Sequence, residues 1–276
     1  MRTSVLLLPM VSVLLATPAL AQRSADEWVE QCRRNYRQNN NRVTHCEVRE
    51  TRIPARGSLT IDAGQNGGVS VRTHEGRDVV VQARVQTWAG SGERARSTAQ
   101  QIRVNTGGTI SASGPEMGNN SGWAVNYEIL VPARTNLDVR THNGPINVER
   151  VAGTMNLRAH NGPLNLSELS GNVTARTQNG PVNVRLTGRR WSGERLDAET
   201  VNGPVTVRMP EGYAAHLEAR TVHGPVSVPR AIRPAGQRRP GERGWRPGAD
   251  INTDINGGGP TIRAVTTNGP ISIQEG

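Results

Sequence analysis

Phenylalanine and lysine are both missing from this chain, and aromatic residues of any kind make up only 3% of it. A broad globular core draws heavily on large aromatic side chains. Their scarcity points instead to a narrow core of stacked Val, Leu and Ile. It also removes the aromatic platforms on which single-stranded nucleic acids stack, so nucleic acid is set aside as a partner. Without lysine, every fixed side-chain positive charge is an arginine, the better fork for phosphate and carboxylate. The formal net charge is +10. Only two cysteines occur, Cys32 and Cys46, and they are not spaced as C-x-x-C. With His45 the one further ligand type close by, a metal or dithiol redox pair has no support, and no cofactor is expected. Beyond the N-terminus no apolar run is long enough to cross a bilayer, so no transmembrane anchor is expected.

What is present begins with an export signal. Arg2 supplies a positive start, Val5 to Leu15 an apolar run broken only by Pro9 and Ser12, and Ala19-Leu20-Ala21 a small-x-small cleavage pattern. Residues 1–21 read as a signal peptide. No cysteine follows the cleavage point to carry a lipid. The product is expected in the periplasm or outside the cell. There disulfides form and persist, and Cys32 and Cys46 are expected to join. Residues 22–56 read as a disulfide-containing helical cap. Ser24-Ala25-Asp26-Glu27 is a capping box, Trp28, Cys32 and Tyr36 recur on one helical face, and Asn39-Asn40-Asn41 ends the pattern.

From residue 57 the sequence repeats. Asn143-Gly144-Pro145, Asn161-Gly162-Pro163 and Asn179-Gly180-Pro181 stand 18 residues apart. Later copies fall at Asn202, His223 and Asn268, and a degenerate early one at Thr73-His74-Glu75-Gly76. Around each turn apolar and polar residues alternate: Leu137, Val139 and Thr141 before it, Ile146 and Val148 after it, with Asp138, Arg140, His142 and Asn147 between. Alternation on both sides of a turn means two short strands, each with one buried face. Asn-Gly is a hairpin signal, but the following Pro removes a ladder donor, and the fixed step favours a coil. The fold expected is all-β, a single parallel β-solenoid (β-helix) of roughly 18-residue coils over residues 57–276. Asn143, Asn161, Asn179, Asn202 and Asn268 are expected to form a structural ladder at one corner, the first three with inward parity. Gly would supply an unusual dihedral there. The Arg-, Pro- and Gly-rich stretch 229–248 reads as a mobile insertion.

The run Val125-Asn126-Tyr127-Glu128-Ile129-Leu130-Val131-Pro132, followed by the T-x-N-G-P coils, resembles the bacterial "putative adhesin" domains over about residues 57–276. The resemblance implies a β-solenoid in an envelope setting, and a molecular function that the family leaves mostly unassigned. The cysteine-bearing prefix and the Arg-rich insertion are less typical of it, so nothing they do is implied.

Chemistry is to be sought in the outward columns. Arg72, Arg140, Arg158, Arg176 and Arg220 each stand three residues before a turn asparagine or its counterpart, and would stack into a basic stripe able to engage an anionic polymer or glycan. Another envelope protein is the further class of partner. His142 and His160 share the neighbouring column without a third metal ligand, and no metal site is expected. No nucleophile elbow, Ser/His/Asp set or phosphate loop occurs, and no catalytic residue is assigned. The function expected is that of a non-catalytic, adhesin-like binding or structural module. The alternative is a carbohydrate-active or acyl-transferring enzyme on a β-helix. Against it, Pro145, Pro163 and Pro181 break any six-residue sub-period, and the columns after the turn carry Asn and Ser rather than clustered carboxylates.

Overall fold

The computed structural model describes residues 18–36, 42–229 and 250–276. The expected insertion at 229–248 lies almost wholly outside the described residues, as does most of the leader. The N-terminal part comprises α1 (Pro18–Tyr36), β1 (Val43–Pro54), β2 (Ser58–Asp62), β3 (Val69–Thr73), β4 (Asp78–Ala89), α2 (Gly92–Gln101), β5 (Arg103–Asn105), β6 (Thr109–Ser113) and β7 (Gly122–Val131). Strand pairs then follow, one pair to each repeat: β8 (Asn136–Asn143) with β9 (Ile146–Glu149), β10 (Ala152–Asn161) with β11 (Leu164–Ser167), and β12 (Ser170–Asn179) with β13 (Val182–Arg185). Next are β14 (Arg195–Asn202) with β15 (Val205–Met209) and β16 (Ala215–His223) with β17 (Val226–Ser227). Last come β18 (Asp250–Ile255) and the pair β19 (Thr261–Asn268) and β20 (Ile271–Glu275).

The strands form two ten-stranded sheets. One runs β1-β4-β7-β3-β9-β11-β13-β15-β20-β17, and the other β18-β16-β19-β14-β12-β10-β8-β2-β6-β5. Within the repeats the pairing is parallel and in the expected register: Leu157 lies between Val139 and Ala175, and Leu164 between Ile146 and Val182. These inward residues are fully buried and form the core between the sheets. The exposed residues alternate with them, as a pleat with one wet face requires.

Four expectations need correction. The sheets are mixed, so a single parallel solenoid does not run from 57 to 276: β1–β4, β4–β7, β5–β6 and β18–β16 are antiparallel. At the N-terminal end the long strands β1, β4 and β7 double back on one another, and residues 43–131 carry no 18-residue period to hold them in coils. The prefix is not purely helical either. Residues 43–54 form β1, which pairs along its whole length with β4 and edges one sheet. The helix α1 begins at Pro18, not at the Ser24 cap; Ala19, Leu20, Ala21 and Gln22 all favour helix, so nothing stops it there. The early copy of the corner is Asn66-Gly67, not Thr73 to Gly76, because a Cβ on Gly144 would meet the Gly67 carbonyl oxygen at 2.3 Å.

That last contact recurs and adds a second reason for the corner glycine, beside the positive φ of Gly180 and Gly203. A Cβ on Gly162 would sit 2.0 Å from the carbonyl oxygen of Gly144. Close stacking of backbones excludes a side chain at the corner, including where φ is not positive. Pro145 accepts a bond from Val69 N at 2.9 Å, so proline forfeits only its own donor at each corner.

Space order also departs from chain order. The last pair, β19 and β20, lies between the β14/β15 pair and the β16/β17 pair. Asn268 donates to the Asn202 side-chain oxygen at 2.8 Å. His223 bears no amide with which to continue that series, and its repeat takes the terminal place.

Candidate functional site

The outward face of β8, β10 and β12 carries three polar columns three residues deep. Asp138, Asn156 and Thr174 stand in register in the first, and Arg140, Arg158 and Arg176 in the second. His142, His160 and Gln178 make the third, two residues further along each strand. Arg140 is bonded to Asp138 and Arg176 to Glu199, each at 3.2 Å and each exposed. Arg158 has no carboxylate partner among the described residues. With the Asn156 amide oxygen turned toward it, that oxygen accepts from both guanidinium Nη atoms, at 2.8 and 3.2 Å. The imidazoles of His142 and His160 are stacked, their ring centres 4.5 Å apart and their planes 7° from parallel.

The five arginines singled out in the sequence are therefore not one stripe. Asp62 opposes Arg140 at one end of the trio and Glu199 opposes Arg176 at the other. Arg220 lies beyond Glu199 and Val265, on the far side of the inserted final pair. Arg72 is on the opposite sheet, paired with Glu128 of β7. Glu128 is 8% exposed and also binds Arg84, which lies over the Trp28 ring at 5.8 Å. Burial holds the Arg84 guanidinium below its ordinary range, and the neighbouring charge of Arg72 adds to this. Arg72 thus belongs to a structural junction among β3, β4, β7 and α1.

The corner amides do form a ladder. Asn268 donates to Asn202, Asn202 to Asn179, Asn179 to Asn161 and Asn161 to Asn143, at 2.7–2.8 Å. Asn143 in turn donates to Asn66 at 3.2 Å. The expected inward parity is wrong: these asparagines are exposed, and the residue two earlier, a threonine in every case but Ala159, points in. Asn66 was missed because no proline follows its glycine, although Asn-Gly itself is present. A second amide ladder runs Asn183 to Asn165 to Asn147 on the other sheet at 2.7–2.9 Å. It lines a shallow groove of about 310 Å³ with Ser70, Arg185 and Arg208.

Cys32 and Cys46 are bonded, with Cα atoms 6.4 Å apart, which ties α1 to β1. Beside Cys46, burial works against ionisation of Glu47. Hydrogen bonds from His45 and Arg49 outweigh it and hold the carboxyl below its usual range. Burial pushes the Tyr127 phenol far up, with a contribution from Asp62, and the Tyr213 phenol up to about 12. Among the described residues no group of three or more His, Cys, Asp or Glu could hold a metal ion, and no helix is long and apolar enough to cross a membrane.

No protein-family model matches the chain, and no curated protein matches it. Solved structures similar to it include the following two. One is a "putative cell adhesion protein" from Clostridium sporogenes, 14% identical, with a TM-score of 0.44, covering 84% of this chain and 100% of its own. The other is a "putative adhesin" from Bacteroides fragilis, 12% identical, with a TM-score of 0.32, covering 84% of this chain and 97% of its own. Both are likenesses only. At that distance neither assigns a function.

Proposed function

We propose that the chain is an exported, adhesin-like binding module that works without catalysis: its repeats stack as a β-solenoid rod, and Arg140, Arg158 and Arg176 hold an anionic polymer of the envelope. The observation that carries this reading is the register of three guanidiniums on adjacent strands, at the 4.7–4.9 Å spacing typical of neighbouring strands. Arg158, at the centre, has no carboxylate among the described residues. The ion pairs of Arg140 and Arg176 are exposed and of the kind worth about 0–1 kcal/mol, so a phosphate, sulfate or uronate can replace the carboxylate at little cost. Guanidinium forks bind such groups bidentately. A rigid row of three gains by multivalency, because the second and third contacts are intramolecular.

The test compares heparin, polyphosphate and neutral dextran on the wild type and on the triple variant Arg140→Gln, Arg158→Gln, Arg176→Gln. Heparin or polyphosphate is expected to bind, weaken steeply with salt, and lose at least about tenfold in affinity in the triple variant. Arg220→Gln is expected to bind as the wild type does. Equal binding by the triple variant would make the trio a solvated face.

A further inference from the structure

At the N-terminal end of the molecule, two of the five tryptophans border a pocket of about 470 Å³ that no arginine lines. Trp88, next to last in β4, lies directly opposite Gly122 of β7, and a Cβ at 122 would lie 2.3 Å from the indole. The ring therefore lies over bare backbone. Trp123 packs in the same way on Gly114, where a Cβ would approach it to 2.8 Å. Its indole Nε1 donates to the Pro115 carbonyl at 3.0 Å, which fixes the ring. Both indoles remain partly exposed.

The facing wall is the loop between β2 and β3, which presents Gln65 and Asn66. That loop is held firmly. Gly68 N donates to the Asn126 side chain at 2.7 Å, Gly64 N donates to the Asp62 carboxylate at 2.9 Å, and a Cβ on Gly67 would strike the Val125 carbonyl at 2.4 Å. Asn66 is the last member of the corner ladder. Each amide donates toward it, so its oxygen is occupied while its own NH2 has no acceptor among the described residues. The indole N–H of Trp88 likewise has none. Ser121 adds a hydroxyl to the rim.

No charged side chain lines this pocket, in a protein of which 20% of the residues are charged. Its lining combines two indoles, apolar side chains and neutral donors and acceptors. The occupant this lining favours is uncharged, with one apolar face and a rim of hydrogen-bonding groups. A pyranose ring meets all three conditions: its axial C–H bonds carry partial positive charge toward the negative face of an indole, and its equatorial hydroxyls reach amides at the edge. The volume falls in the range typical of small-ligand sites. We propose that the Trp88–Trp123 pocket binds a neutral sugar ring, as one residue of a glycan. None of the three arginine side chains lines the site, although Ala63 of its wall bonds the Arg140 backbone at 2.9 Å.

The full chain is titrated with neutral hexasaccharides (cello-, chito-, malto- and xylo-oligomers), followed by tryptophan fluorescence and calorimetry. At least one is expected to bind saturably, with an affinity unchanged between about 50 mM and about 500 mM salt, since no ion pair is involved. Trp88→Ala and Asn66→Ala are each expected to weaken it at least about tenfold. Circular dichroism guards against misfolding of the tryptophan variant, and Asn66 is an exposed loop residue whose loss leaves the core intact. The triple arginine variant is expected to bind the sugar as the wild type does, so the two sites fail or succeed separately. The proposal is overturned if no neutral oligosaccharide binds up to about 10 mM. It is equally overturned if both variants bind undiminished, or if a proline-rich peptide saturates the pocket and the sugars do not.

Discussion

Each repeat contributes one residue that faces inward at the corner, and in most it is a threonine whose hydroxyl ties down a glycine of the neighbouring repeat. Thr177 donates to the Gly162 carbonyl, Thr200 to Gly180, Thr266 to Gly203 and Thr221 to Gly269, all at 2.9 Å. Ala159 occupies the same column, between Thr141 and Thr177, without a hydroxyl. By the pattern of its neighbours it should reach Gly144. Ala159→Thr is expected to add that bond, worth about 0.5–1.5 kcal/mol, together with the better strand propensity of a β-branched residue. A rise of about 2–4 °C in the melting temperature, read by calorimetry, would bear this out. Thr200→Ala should lower it by a similar amount. No change in either variant would mean that the corner hydroxyls are satisfied by water when the bond is lost.

The strand pairs draw their stability from strict alternation. Val139 is wholly buried between Leu157 of the next repeat and Ile61 of β2, whereas Arg140, one residue on, faces water. Val139→Asp would place an unpaired carboxylate in an apolar column and is expected to cost at least about 3 kcal/mol. Arg140→Gln should stay within about 0.5 kcal/mol. Urea denaturation of the two variants measures both, and equal tolerance would contradict the assigned faces. The alternation was legible from the sequence because it is a local property: a pleat turns successive side chains to opposite faces whatever the strand's partner. The antiparallel strands β1, β4 and β7 were not legible. Val79, Val80 and Val81 are all buried in β4, so that strand shows no clean alternation to read.

For the whole molecule the notable fact is that the chain's last repeat is not the last in space. The strands β16 and β17 pair with β19 and β20, and β18 covers β16 on its other side. Removing residues 260–276 should therefore deprive residues 215–228 of their parallel neighbours. Hydrogen exchange is expected to show their amides losing protection while those of 137–185 keep it. Were the repeats stacked in chain order, the same truncation would leave 215–228 protected. The disulfide acts at the opposite end, holding α1 to the edge strand β1, where an open strand would otherwise invite pairing with another chain.

The sequence by itself determined the inward columns, the register of successive repeats and the existence of an asparagine ladder, because each follows from spacing along one segment, and the Cys32–Cys46 bond, because an export signal leaves two lone cysteines where disulfides persist. Only the tertiary structure decided which segments became neighbours. It set Arg72 against Glu128 and away from the other arginines, put Asn66 at the head of the ladder, and inserted the final repeat between two earlier ones. It also brought Trp88 and Trp123, 35 residues apart in the chain, to the border of one pocket. Those choices rest on competition among long-range strand pairings of similar local pattern, and the winning pairing is the one that satisfies backbone, corner amides and core together.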